Sequence, residues 1–471
     1  MKKLLSITAI VLLTACQTQT DSTASNANSS AEQPELNLED AKVIKQFFDE
    51  ALTSRETYNL LDHLCNKIGP RLSGSAEAAS AVDWTEKVMN DYGFDNVYKQ
   101  ELFVPNWKRG DKEVARIVGS GADLSVLALG MSVATPVGGL TAEVVEVQGL
   151  DDVEALGKEK IEGKIVFYNR PADQRHIQTG AAYGGAVDQR VAGPAMAAKY
   201  GAVGVVVRSI GTAYDDVPHT GVTRYQDSIP KIPAAALGML SADRLTEALK
   251  DNPNTQLYLK MNCQTLEDAP SHNVIGELTG SEFPDEIITI GGHLDSWDVG
   301  QGAHDDGTGC MQSIQVLHLF QKLGIKPKRT IRAVMFMNEE NGTRGGLKYA
   351  ELAEQNNENH LIALETDAGA FSPRGFGVTA EDATIEKFRT WLPYFNQNTI
   401  SYIKKGGGGV DIGPLHQTLG TPTIGLIVDS QRAFDIHHSP SDVFSTVHPR
   451  EIELGTASIA GLIYFIDKYG L

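Results

Sequence analysis

The stretch "EIITIGGHLDS" (residues 286–296) runs apolar on both faces, pauses at Gly291-Gly292 and ends on His293 and Asp295. Three later stretches repeat that form: "TIRAVMFMNEEN" (330–341), "HLIALETDAG" (360–369) and "TPTIGLIVDS" (421–430). Each is of strand length, and helical patterns such as "TGCMQSIQVLHLFQKLG" (308–324) separate most of them. Strands that are apolar on both faces and alternate with helices predict an α/β fold, a mostly parallel mixed sheet sandwiched by helices. In such sheets ligands sit beyond the carboxyl ends of the strands. The polar endings of these runs are therefore where an active site is expected.

Those endings hold His293, Asp295, Glu339, Glu340, Glu365 and Asp367. Two loops add Asp305 and Asp306 in "GAHDDGTG" and His437 and His438 in "DIHHSPSD". Any one of these alone is most often a solvated loop residue. Together, imidazoles and carboxylates on one sheet edge suit zinc, and a shared carboxylate suits two zinc ions about 3.5–4 Å apart. The six glycines between 291 and 309 allow the tight path that brings His293 and Asp305 to one place. Asp295, two residues from His293, is placed to accept the other ring N–H and fix the tautomer. Neighbouring residues of a strand face opposite ways, so Glu339 and Glu340 converge only if the strand has already ended, as Asn341-Gly342 suggests.

The remaining chain sets the context. At 471 residues, 41% hydrophobic and 21% charged, it is long enough for two or three domains. A formal charge of -19 repels phosphates and anionic lipid, which argues against nucleic acid or a membrane surface as partner. "SAEAASAVDWTEKVMNDYG" (75–93) predicts a helix capped by Ser75 and ended by Gly93. From residue 126 to 260 the character shifts to short runs split by Gly and Pro, among them "GKIVFYNR", "GAVGVVVRS" and "IPKIPAAALG". At the start, "MKKLLSITAIVLLTAC" has a basic n-region and an apolar core too short to span a bilayer. Residues 17 to 34 are polar without period and read as a tether. Beyond Cys16 three cysteines remain, Cys65, Cys263 and Cys310; at most one pair is available, and the spacing does not say which.

Three resemblances follow from these residues. Leu13 to Cys16 resembles the bacterial lipobox, which implies a signal peptide over 1–15 and a lipid-anchored tether over 16–37. That would make the protein an envelope lipoprotein, on the outer membrane facing the periplasm or secreted, touching membrane only through its anchor. The order GKIV, AxxxGAVGVVV, IPAA resembles the β-rich protease-associated module, inserted over 126–260 between two catalytic parts, 38–125 and 261–471. Finally, "HLDSW…GAHDDGTG", "NEEN", "ETDAG" and "HHSPSD", with "GPRLSGS" (69–75) and "VPNWKRG" (104–110), resemble the di-zinc exopeptidases of the aminopeptidase and glutamate carboxypeptidase group.

That resemblance implies two Zn²⁺ per chain. His293 and Asp367 would hold one, Glu340 and His438 the other, and Asp305 would bridge them; the Asp305–Asp306 peptide would be cis. His438 rather than His437 has an acid, Asp442, at the family's spacing. Glu339 would be the general base, taking a proton from water that the metals make acidic near pH 7 and passing it to the leaving amine. His304 stands where the family often has Met or Asn. Asp411, in "KKGGGGVDIGPL", would meet the substrate's α-amino group, or else belongs to a surface loop. The implied substrates are dipeptides or short peptides, cut as by a carboxypeptidase or dipeptidase, with an aminopeptidase of the same fold as the alternative and a homodimer as the assembly. A serine hydrolase is disfavoured, since no G-x-S-x-G elbow is present. A one-zinc glutaminyl cyclase and a receptor that has lost its metals both conflict with the full ligand set.

Overall fold

The computed structural model describes residues 36–396 and 399–471. The expected signal peptide, the lipidated Cys16 and all but the end of the tether lie outside the described residues. Among the described residues the first helix is Leu38–Ser54, capped by Asn37, whose side chain accepts from Glu39 N and Asp40 N. Among the described residues no helix is long and apolar enough to cross a membrane.

In chain order the strands are β1 (Asn96–Lys108), β2 (Val114–Ile117), β3 (Asp123–Leu124), β4 (Val126–Ala128) and β5 (Leu140–Val147). Next come β6 (Ile165–Tyr168), β7 (Gly204–Arg208), β8 (Ala234–Leu237), β9 (Gln256–Lys260) and β10 (Gln264–Leu278). The last six are β11 (Phe283–His293), β12 (Arg329–Phe336), β13 (Asn359–Glu365), β14 (Pro373–Thr379), β15 (Tyr402–Lys405) and β16 (Thr423–Val428).

They form two eight-stranded sheets. The first has the order β1-β10-β12-β11-β13-β16-β14-β15. Its centre, β12-β11-β13-β16, is parallel, as the two-faced apolar runs predict. Its flanks contain antiparallel pairs, β1 with β10, β10 with β12 and β14 with β16. The helices Thr308–Lys322 and Pro449–Tyr469 are buried along almost their whole length and pack on it, with Ile290, Ile314, Leu364 and Phe465 in one core. The helix expected over 75–93 forms as Ala76–Asp91, with Ser75 Oγ accepting from Ala78 N.

The second sheet has the order β3-β2-β9-β5-β6-β7-β8-β4 and is inserted between β1 and β10. Two features depart from the expected β-rich segment at 126–260. The sheet already begins at β2, ahead of residue 126, because "VARI" pairs antiparallel with β9 far along the chain. It is also α/β in character: β6, β7 and β8 are buried on both faces, so both must be covered. Helix Leu150–Ile161 and helix Gly193–Lys199 cover one face with Val153, Ile161 and Ala197. Helix Met239–Asp251 covers the other with Ala242 and Leu245. Cys65, Cys263 and Cys310 are free and buried, so no disulfide joins them.

Candidate metal centre

Parallel strands that stop at one edge bring their last residues together. β11 ends on His293, β13 ends just before Asp367, and beyond β12 the chain turns through Asn338, Glu339 and Glu340. The strand has ended before the paired glutamates, as their convergence requires. His293 Nε2 lies 3.1 Å from Asp305 Oδ1 and 3.7 Å from Asp367 Oδ1. On the other side of the same carboxylate, His438 Nε2 lies 3.3 Å from Asp305 Oδ2 and 3.1 Å from Glu340 Oε2. The five residues implied as ligands thus gather around Asp305, and the donor atoms spaced to hold one ion group as His293, Asp305 and Glu340, as Asp305, His437 and His438, and as His293, Asp306 and Asp367. Glu339 stands beside them and belongs to none of the sets spaced to hold an ion, whereas Glu340 does.

His437 is closer than the spacing of its neighbour suggested. Its ring stacks on His438 at 3.6 Å and its Nε2 lies 3.6 Å from Asp305 Oδ2. Asp306 is also spaced with His293 and Asp367, yet its oxygens accept from His293 N (3.1 Å) and Gly309 N (2.9 Å), which ties it to the backbone. The Asp305–Asp306 peptide is cis.

Asp295 does a different job from the one its spacing suggested. His293 Nδ1 meets the Asp295 backbone carbonyl at 2.9 Å, while the nearer carboxylate oxygen is 3.9 Å away. The carboxylate instead accepts from Asn338 N (2.7 Å), Glu339 N (3.0 Å) and Glu340 N (3.4 Å), so it braces the turn that carries both glutamates. The tautomer of His293 is still set, by a carbonyl. Asp442 plays the matching part for the loop: its oxygens accept from His304 N (2.8 Å) and Asp305 N (3.1 Å). His304 is wired in, with Nε2 3.1 Å from Thr446 Oγ1 and Nδ1 accepting from Ala370 N at 3.1 Å.

Sequence reasoning also left Arg71 without a role. Its guanidinium is wholly buried and donates to the carbonyls of Leu294 (2.5 Å), Gln301 (2.8 Å) and Gly302 (2.9 Å). It clamps both ends of the loop that leads to Asp305. Its place in "GPRLSGS" was a signal, but its partners lie more than two hundred residues away. Asp411 is fully buried, and neither carboxylate oxygen has a hydrogen-bond partner. Its backbone N–H and that of Ile412 donate to Glu365 Oε2, both at 2.9 Å. Its side chain is thus buried and not on an exposed surface loop.

The electrostatics ask for cations. Burial pushes Glu339 up to about 8 and Glu365 up to about 7. Burial, with Asp305 nearby, raises Glu340 well above the usual range. Burial alone would raise Asp305 as well, but His293, His438 and His437 hold it well below. His293 Nε2 and Asp305 Oδ2 are buried without a hydrogen-bond partner. Buried, acceptor-rich and partly orphaned, these N and O donors fit divalent metal. A cavity of about 630 Å³ reaches the centre at Asp305 and Asp367 and is lined also by His304, His437 and, from the second sheet's side, Tyr183.

Comparison with known proteins agrees with this geometry. Residues 273–462 match the model of peptidase family M28. Carboxypeptidase Q of Bos taurus is 34% identical over 410 residues, 87% of this chain and 85% of that protein. The Homo sapiens protein of the same name is 34% identical over 429 residues, 90% and 88%. The chain belongs to peptidase family M28. It is thereby a metallo-exopeptidase, a hydrolase of peptide bonds. The crystal structure of a peptidase M28 precursor from Shewanella amazonensis superimposes with a TM-score of 0.85 at 34% identity, covering 91% of this chain and 96% of that one. A zinc aminopeptidase from Bacillus subtilis, 18% identical, shares the fold with a TM-score of 0.64 over 87% and 93%.

Proposed function

We propose that this M28 peptidase binds two zinc ions, one at His293 and Asp367 and one at Glu340 and His438, with Asp305 between them, and that Glu339 is its general base. The observation that carries the reading is the placing of Asp305, with His293 against one carboxylate oxygen and His438 against the other, while Glu339 lies beside them and joins no set spaced for an ion. When bound, the zinc pair supplies a Lewis acid for the carbonyl oxygen and an acidified water. Glu339 would take a proton from the attacking water as the water oxygen adds to the carbonyl carbon. It would then deliver the proton to the departing nitrogen as the C–N bond breaks. Asp295 holds the Glu339 backbone where this transfer needs it.

The substrates are dipeptides or short peptides with a free terminus, in keeping with the carboxypeptidase Q relatives and with a cleft walled by the inserted unit, which we read as a protease-associated module. The test is a panel of free and end-blocked di- and tripeptides with the zinc-loaded protein. Cleavage of dipeptides and N-blocked peptides is expected. Selective cleavage of C-blocked peptides would make it an aminopeptidase, and cleavage inside casein would end the exopeptidase assignment. The same reading places the chain in the cell envelope on a lipidated Cys16, as a homodimer. Cys16→Ser is expected to abolish fatty-acid labelling, and an unlabelled wild type would refute the anchor.

A further inference from the structure

The inserted segment between β6 and β7 sends two side chains to the metal centre. Tyr183 belongs to the helix Thr179–Gly184 and Arg190 to the helix Asp188–Val191. Arg190 is 5% exposed, and among the described residues no carboxylate pairs with it. Its Nη2 donates to Tyr183 Oη at 2.6 Å and its Nη1 to the Thr220 carbonyl at 3.2 Å, with Nη1 also 3.5 Å from His438 Nδ1. Its Nε is buried without a partner. A Cβ at Gly221 would run into this guanidinium, so the backbone is shaped to admit it. A buried cation without a counter-ion is costly and persists where negative charge compensates it.

The tyrosine is equally constrained. Its ring stacks on Phe434 at 4.8 Å and meets His437 edge-on at 5.0 Å. It lines the same cavity as Asp305 and Asp367. Because Oη accepts from Arg190, its own proton is left to donate, and among the described residues it has no acceptor. We propose that Tyr183 donates this O–H to the carbonyl oxygen of the bond being cut, and that Arg190 is the positioning residue that aims and polarises it. This rests on the peptidase reading above. The phenol keeps its proton throughout. It gives a hydrogen bond that strengthens as the carbonyl oxygen takes on negative charge, so its effect falls on the transition state more than on the bound substrate.

Tyr183→Phe keeps the ring packing and removes only the donor. With a cleavable dipeptide from the panel, kcat is expected to fall about 10²-fold with KM within about twofold and metal content unchanged. Affinity for a phosphinate dipeptide analogue, tetrahedral and anionic, is expected to fall in parallel, while affinity for a product amino acid holds. Arg190→Lys is expected to retain more turnover than Arg190→Gln. Near wild-type kcat in Tyr183→Phe overturns the proposal. So does a raised KM at unchanged kcat with lost discrimination against amidated C-termini, which would make Tyr183 a carboxylate binder. A wild type that cleaves nothing in the panel refutes the peptidase reading and this inference with it, whereas an active wild type matched by Tyr183→Phe refutes this inference alone.

Discussion

In the first sheet β11, β12 and β13 run parallel and stop at one edge, so His293, the Glu339–Glu340 turn and Asp367 arrive together. In the second, β5 to β8 also run parallel, yet among the described residues no set spaced for a metal stands at their ends. There β6 leads to Asn169 and β7 ends on Arg208, and Arg208 Nε donates to Asn169 Oδ1 at 2.6 Å. The same topology therefore builds an edge in both layers, and the residues that end the strands decide whether it stays open to a ligand or closes on itself. The second layer reaches the chemistry by its loops instead: Thr220 N donates to the His438 carbonyl at 2.8 Å.

The sharpest test of that contrast is Asp305→Ala, which removes the shared donor. Elemental analysis is expected to show most of both zincs lost and hydrolysis at background. Fully active protein with one tightly held zinc would show that His293 with Asp367 and Glu340 with His438 are not two metal sites. Next is Glu339→Gln, which should keep the metals and lose about 10²–10⁴-fold in kcat, against Glu340→Gln, which should lose metal. Equal metal loss in the two variants would erase the distinction between adjacent residues. In the second layer, Phe167→Ala removes a fully buried ring from the core. It is expected to cost about 3–5 kcal/mol of stability in urea titrations while kcat per folded molecule stays within about twofold. A kcat loss as large as that of Glu339→Gln would make the second layer a chemical partner throughout, beyond its loops.

The smallest expected effect separates buried carboxylates of the metal centre from one elsewhere in the first layer. Burial pushes Glu453 up to about 7, while the Tyr58 N–H at 3.0 Å and the Thr57 hydroxyl at 2.7 Å pull it the other way. Raised in the folded state above an ordinary 4.5, it keeps its proton where the unfolded chain has lost it. Its contribution to stability is whole below about pH 4.5 and is lost as pH rises toward 7, at up to about 1.4 kcal/mol per unit. Glu453→Gln is expected to flatten that slope, gaining on wild type at pH 8. Parallel stability curves from pH 5 to 8 would show that the carboxyl is ionised in the fold.

Much of the first layer was legible because its strands carry apolar residues on both faces and end on ligating side chains. That pattern marks the parallel centre and its edge, and it picked out His293, Glu340 and Asp367. It does not mark direction at the flanks, where β10 and β14 are antiparallel for reasons of connection. The second layer was half legible. Its apolar runs announced strands, but of the helices that cover them Gly193–Lys199 is a short run rich in Ala, and Leu150–Ile161 is kinked at Gly157, so their period is faint. Within the metal centre, residue types were readable and partners were not. Asp295 stands two residues from His293, yet its carboxylate serves the turn after β12. Tyr183 and Arg190 carry no motif at all, because what selects them is a meeting between two layers.

Arg71 has a consequence for the moment at which this protein becomes active. It docks on carbonyls 223 and 231 residues further along the chain, and the loop it clamps is closed from the far side by Asp442, 138 residues beyond His304. A ribosome releases these partners one after another, Arg71 first, then the loop it clamps, then Asp442. Until then the loop bearing Asp305 lacks one of its two supports. A peptidase assembled this way stays inert until Asp442 has joined the loop, and proteolytic fragments that end before Asp442 are expected to be inert too.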